Sequence, residues 1–216
     1  MIYWVIKMIK TDGIILDVDG TIWDSTGAVA DLWNEAIAEF GLDIRVSAPI
    51  LQSVFGKTMD EIGDILFPML SEEDRRRLSN NCHDKENKGL RNHPGSVYEG
   101  MEEMLSALSK THDVYILSNC QSGYIETLLE VTGFGKYIKD FTCFGDTGKG
   151  KAENIKDLVK KYEMKCPVYV GDTMFDYHAC TEAGVPFIFA SYGFGKVEDY
   201  IGKIDKPMDL VALLGE

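Results

Sequence analysis

The stretch Gly13–Ser25, GIILDVDGTIWDS, decides how the rest of the chain is read. A short apolar run bounded by turn-forming residues has the pattern of a buried strand. This run ends in two carboxylates one residue apart, Asp17 and Asp19, followed by Gly20 and Thr21. Aspartate is common where a strand gives way to a turn, so the pair acquires meaning only if other parts of the chain converge on it.

Three further runs have the same form: DVYILSN at 113–119, PVYVGD at 167–172 and PFIFAS at 186–191. Helical period separates them. Met101, Met104, Leu105 and Leu108 fall at i, i+3, i+4 and i+7, as do Ile155, Leu158, Val159 and Tyr162. Alternating strands and helices predict an α/β fold with a parallel sheet. Uninterrupted apolar runs, without in/out alternation, belong to strands covered on both faces. The expectation is a Rossmann-like three-layer core.

Roughly 90 residues separate the first two runs, far more than the dozen or so that one crossover helix needs. Val29, Leu32, Trp33, Ala36, Ile37 and Phe40 make an amphipathic helix ended by Gly41. TMDE at 58–61 is a capping box opening a second helix that stops before Pro68, and Ser71 opens a third, markedly polar one closed by His93-Pro94-Gly95. The insert is therefore expected to be an α-helical cap domain at 26–91, with residues 1–25 and 92–216 forming the core.

Composition narrows the partners. With 22 Lys and Arg against 35 Asp and Glu, the net charge of -13 repels polyanions, which argues against nucleic acid. The five cysteines include no C-x-x-C pair and read as small core residues in a reducing compartment rather than a zinc site. The segment MIYWVIKMIK at 1–10 is too short and too interrupted by Lys7 for a membrane span and lacks a small-residue cleavage site, so a cytoplasmic protein is expected. Oligomeric state leaves no mark in the pattern.

In open parallel sheets the carboxyl ends of the strands line the ligand crevice. The residues that follow the apolar runs are Asp17 and Asp19, then Ser118 and Asn119, then Asp172 with Asp176 just beyond, and a lysine-rich turn at 145–155 lies between the last two sets. Carboxylates crowded together repel one another unless a cation shares the site. An all-oxygen ligand set without histidine or cysteine suits Mg²⁺, which completes its shell with water and substrate phosphate. A magnesium site beside a hydroxyl, an amide and a lysine has the parts that phosphoryl transfer requires.

These residues resemble the haloacid dehalogenase superfamily. DVDGT at 17–21, LSN at 117–119, GKAENI at 150–155 and GDTMFD at 171–176 match its four motifs in order, over a core from Gly13 to Gly193. The helical insert resembles the cap of the subgroup that includes phosphoglycolate phosphatase and β-phosphoglucomutase. The resemblance implies a phosphatase acting on a small phosphorylated metabolite. Asp17 would be the nucleophile that forms an aspartyl-phosphate. Asp19 would protonate the leaving oxygen, deprotonate water, and approach the metal through its main-chain carbonyl. Ser118 and Asn119 would hold phosphate oxygens beside a helix starting near Gln121, and Asp172 and Asp176 would complete the metal site with Asp17. For the catalytic, phosphate-binding lysine, Lys151 lies on the same stripe as Ile155, Leu158 and Val159, whereas Lys149 sits in a glycine-flanked turn and reads as solvated. GKAENI lacks the proline common after that lysine. Gly56, Lys57 and Thr58 match the cap loop that reads the substrate.

Competing readings attach to the same residues. GDTGKGKA at 145–152 is nearly a P-loop, but Ala152 stands where a metal-binding hydroxyl belongs. A phosphomutase would use the same core residues and pass the phosphoryl group to a second hydroxyl. A catalytically silent binding protein would have no physical need for so many mutually repelling carboxylates.

Overall fold

The computed structural model describes residues 8–215; most of the N-terminal segment read above as neither leader nor span, residues 1–7, lies outside them. From its start the chain forms β1 (Gly13–Leu16) and a short strand β2 (Trp23–Asp24), then four helices: α1 (Thr26–Glu39), α2 (Ala48–Val54), α3 (Met59–Leu66) and α4 (Glu72–Gly89). It returns through β3 (Ser96–Val97), α5 (Met101–Leu108), β4 (Val114–Ser118), α6 (Tyr124–Thr132) and β5 (Asp140–Cys143). The remainder is α7 (Phe144–Thr147), α8 (Lys151–Lys161), β6 (Pro167–Gly171), α9 (Met174–Ala183), β7 (Phe187–Ala190), β8 (Gly202–Ile204) and α10 (Asp209–Leu214).

Six strands form one sheet in the order β5-β4-β1-β6-β7-β8, every pair parallel. Counted along the chain this is third, second, first, fourth, fifth, sixth: the doubly wound order, in which connections leave β1 in opposite directions and open a crevice at its carboxyl end. Ile15 pairs with Tyr115 on one side and Tyr169 on the other. The two faces of β1 feed separate cores. Ile14 and Leu16 pack with residues of α5, α6 and the insert, while Ile15 packs with Tyr115, Tyr169, Ile155 and Leu158 beneath α8 and α9.

The four expected strands are present. The edge strands β5 and β8 had no apolar run to announce them, because an edge strand is only partly covered: Asp140, Phe141 and Thr142 are half-buried and Lys203 is exposed. The insert holds a helix beyond the three expected, α2, with Pro49 in its first turn, a position where the missing N–H costs nothing. The capping box of Thr58 and Glu61 and the Ser71 cap form as read. β2 and β3 pair antiparallel, Trp23 opposite Val97, so the chain enters and leaves the insert through one two-stranded ribbon. Gly95 is required there, since a Cβ would lie 2.9 Å from Ser25 Cα.

Ile15 is fully buried in the central strand. Ile15→Ala should lower unfolding stability by about 2–5 kcal/mol in urea titrations, the range for deleting a core aliphatic side chain; a loss below 1 kcal/mol would mean that the α8–α9 face is loosely packed.

Candidate active site

Asp17 follows β1 directly, and its N–H donates to Val170 O at 2.9 Å, so the ladder fixes its backbone. Beyond it the chain must turn at once. Gly20 adopts φ +80, and a Cβ there would meet Asp172 Oδ2 at 2.1 Å. Only glycine fits both the conformation and the space. The turn separates the two aspartates that a straight strand would hold on one face.

Lys151, the first residue of α8, places its Nζ 2.8 Å from Asp17 Oδ1 and 2.6 Å from Asp176 Oδ1, with all three side chains buried. Asp176 is fixed in turn by a capping box at the start of α9: its Oδ2 accepts from Thr173 N at 2.9 Å and Thr173 Oγ1 at 2.6 Å. Carboxylate oxygens of Asp17, Asp172 and Asp176 lie within 4.8 Å of one another. Burial pushes Asp17 up to about 7, with Lys151 opposing and Asp176 adding to the rise. Burial and the neighbouring carboxylates also hold Asp172 well above the ordinary carboxylate range. For Lys151, burial disfavours the ammonium, but Asp17 and Asp176 outweigh it and keep the group charged. Three carboxylates against one ammonium leave a surplus of negative charge. Asp172 Oδ2 accepts from Phe194 N at 2.6 Å, whereas Oδ1 is buried without a partner. An orphaned carboxylate oxygen within an all-oxygen cluster fits a divalent metal ion.

Asp19 stands apart from this cluster. Its Oδ1 accepts from Tyr124 Oη at 2.6 Å and Ser25 Oγ at 2.8 Å. Burial raises its pKa to about 6, against the pull of these hydrogen bonds. A carboxyl group whose pKa is raised toward neutrality is suited to acid–base work. Its carboxylate is thus committed to hydroxyl donors, and any metal contact from Asp19 falls to its main chain.

Ser118 ends β4, buried, with Oγ accepting from Cys120 N at 3.3 Å. Of the two groups that Asn119 offers to phosphate, backbone N–H and side-chain amide, the amide is engaged elsewhere, and the expected helix start needs correction. The side-chain amide of Asn119 is turned to the insert, where Nδ2 donates to Gly56 O at 2.8 Å. The following helix begins at Tyr124, not near Gln121, because Gly123 at φ +86 delays it. Lys149 lies on the surface, paired with Asp157 at 2.5 Å. The near P-loop is broken by the short helix α7 and Gly148 at φ +65.

The insert closes over these residues. Phe55 meets Phe194 edge to face with ring centroids 6.5 Å apart, and Lys57 Nζ sits 3.7 Å over the Phe175 ring. Thr58 is occupied by its own helix, both its N–H and its hydroxyl donating to Glu61 Oε2 at 2.8 Å. Gly56 and Lys57 line the cavity together with Asp17, Asp19, Ser118 and Asn119; Thr58 does not. Its narrowest part measures about 30 Å³, room for one or two waters, and the cavity is partly open to solvent.

Residues 14–190 match the family model of haloacid dehalogenase-like hydrolases. The chain belongs to this family. It is 25% identical over 209 residues to the phosphoglycolate phosphatase of Aquifex aeolicus, covering 93% of this chain and 95% of that one. Among solved structures it shares the fold of a haloacid dehalogenase-like hydrolase from Streptococcus pneumoniae (TM-score 0.80, 17% identity, 93% and 97% of the two chains). A predicted phosphoglycolate phosphatase from Haemophilus somnus is similar to the same degree (TM-score 0.82, 18% identity, 94% and 97%).

The hydrolase also brings to its cavity residues that the sequence reading passed over: Tyr124, Ser25 beneath it, and Glu86 of α4. Glu86 is buried, and its Oε2 accepts from Trp33 Nε1 of α1 at 2.7 Å. A signal was present. Leu78, Cys82, Glu86 and Leu90 recur every four residues and form the buried stripe of an otherwise polar helix, so a glutamate occupies a core position.

Burial raises Glu86 to about 7, opposed by hydrogen bonds from Trp33 and Gln121. The folded state therefore binds the proton more tightly than the unfolded chain, whose glutamate ionises near 4.5. Stability must fall as pH rises from about 4.5 to about 7, by a contribution on the order of 3 kcal/mol. Glu86→Gln keeps an acceptor for Trp33 and removes the titration. Denaturation midpoints at pH 5, 6.5 and 8 should show the variant close to wild type at pH 5 and more stable at pH 8; parallel profiles would refute the assignment.

Proposed function

We propose that this hydrolase is a magnesium-dependent phosphatase of small phosphate monoesters, working through a phosphorylated Asp17. The observation that carries the reading is the Lys151 ammonium held between Asp17 and Asp176 in a buried, metal-fitting carboxylate cluster. The resemblance to a curated phosphoglycolate phosphatase supports it.

Asp17, Asp172 and Asp176 would hold the ion, with the main chain of Asp19. When bound, Mg²⁺ neutralises charge on the phosphoryl oxygens and lets the anionic nucleophile meet an anionic ester. The hydrogen bonds from Lys151 and Tyr169 both fall on Asp17 Oδ1, which leaves Oδ2 to attack phosphorus. As the Oδ2–P bond forms, the bond from phosphorus to the alcohol oxygen breaks, and Asp19 delivers its proton to that oxygen. Water then attacks the same phosphorus, Asp19 takes the proton, and Asp17 departs as carboxylate with inorganic phosphate released. Ser118 Oγ and backbone N–H groups after β4 orient the phosphoryl oxygens. The helical insert, 26–91, acts as a cap that opens for the ester and shuts water out of the first step, with Gly56 and Lys57 meeting the substrate.

The test is phosphate release from sugar phosphates, phosphoglycolate, nucleotides and p-nitrophenyl phosphate, with Mg²⁺ or a chelator. Release should require the metal and fall by at least about three orders of magnitude in Asp17→Asn. Sugar-phosphate isomerisation without release would replace the reading with a phosphomutase. Silence on every ester would leave a binding protein.

A further inference from the structure

With phosphorus at Asp17 and the leaving oxygen at Asp19, the alcohol portion of the ester has to extend into the remainder of the cavity. Its walls there are Trp33, Met59, Ile62, Gln121, Tyr124 and Glu86. Glu86 is the acid among them, delivered by the insert and not by the core. Trp33 Nε1 and the Gln121 amide satisfy part of its hydrogen-bonding capacity. A carboxylate offers about four acceptor positions, so acceptor capacity remains for a ligand.

We propose that Glu86 selects the leaving group: the site takes monoesters of neutral, hydroxyl-bearing alcohols, whose hydroxyl donates to Glu86, and disfavours esters carrying a second anion. This inference rests on the phosphatase reading above and narrows its substrate class. A carboxylate on the alcohol would lie beside buried Glu86, and wherever Glu86 is ionised the two like charges repel, a penalty that a neutral hydroxyl does not meet. The cavity's lysine, Lys57, is set against Phe175 beside the metal-ligand loop, at the phosphate end. It is placed to balance the phosphoryl group and not a far carboxylate.

The experiment uses a matched pair, 2-hydroxyethyl phosphate and phosphoglycolate, which differ only in CH₂OH against COO⁻. Ethyl phosphate, whose small alcohol carries neither a second hydroxyl nor a second anion, serves as the control. For wild type, kcat/KM should favour 2-hydroxyethyl phosphate by about tenfold or more, and Glu86→Gln should reduce that ratio by at least about fivefold, chiefly through better use of phosphoglycolate. A purely structural role for Glu86 would scale both esters together and leave the ratio unchanged, which would overturn the inference. So would a wild-type preference for phosphoglycolate, a result that needs no variant and stands even if Glu86→Gln fails to fold. Turnover of ethyl phosphate with either of those outcomes rejects the role of Glu86 alone. Absence of Mg²⁺-dependent turnover on all three compounds rejects the phosphatase reading as well.

Discussion

One buried ammonium determines how the site can exist. Asp17, Asp172 and Asp176 arrive from two strand ends and a helix start, and their carboxylates converge within a few ångströms with little water to screen them. Lys151 meets two of them. Its position is fixed by α8, whose stripe of Ile155 and Leu158 docks on the sheet face built by Ile15, Tyr115 and Tyr169. A shift of α8 by one residue would swing the ammonium away and leave buried charges unpaired, which is among the costliest defects a core can carry. Helix packing is therefore tied to the protonation of Asp17. The remaining excess of negative charge creates the affinity for a divalent ion.

The insert completes what the core begins. Through Phe55, Gly56 and Lys57 it touches Phe194, Asn119 and Phe175, residues that follow three different strands of the sheet. These contacts narrow the cavity above Asp17 and Asp19. Burial raises the pKa of both Asp19 and Glu86, and exposure to solvent would return both toward ordinary carboxylates.

The strand-end residues were legible because their meaning is local. Asp17, Ser118 and Asp172 each follow an apolar run that has few alternatives to a buried strand, and Lys151 shares a helical stripe with apolar residues. The orientation of Asn119 was not legible, because Gly56, sixty-three residues away, supplies the acceptor for its amide. Glu86 was hidden for a related reason: α4 has the composition of a solvated helix, and only its i+4 stripe, completed by Trp33 from another helix, shows that this glutamate is inside. The edge strands β5 and β8 escaped because partial exposure removes the apolar continuity by which the central strands are recognised.

The two acids that face the alcohol side of the cavity differ in what holds them. Asp19 is bonded to Ser25, at the ribbon's end, and to Tyr124 of the core, so its geometry persists when the cap lifts. Glu86 is bonded to Trp33, and both belong to the insert. Chemistry is therefore stationed in the sheet and discrimination in the helices. On the reading proposed above, an ester that suits Glu86 would strengthen the contact between helices and sheet over Asp19, and one that opposes Glu86 would weaken it. Selection of the leaving group would then act on the rate of its departure as well as on binding.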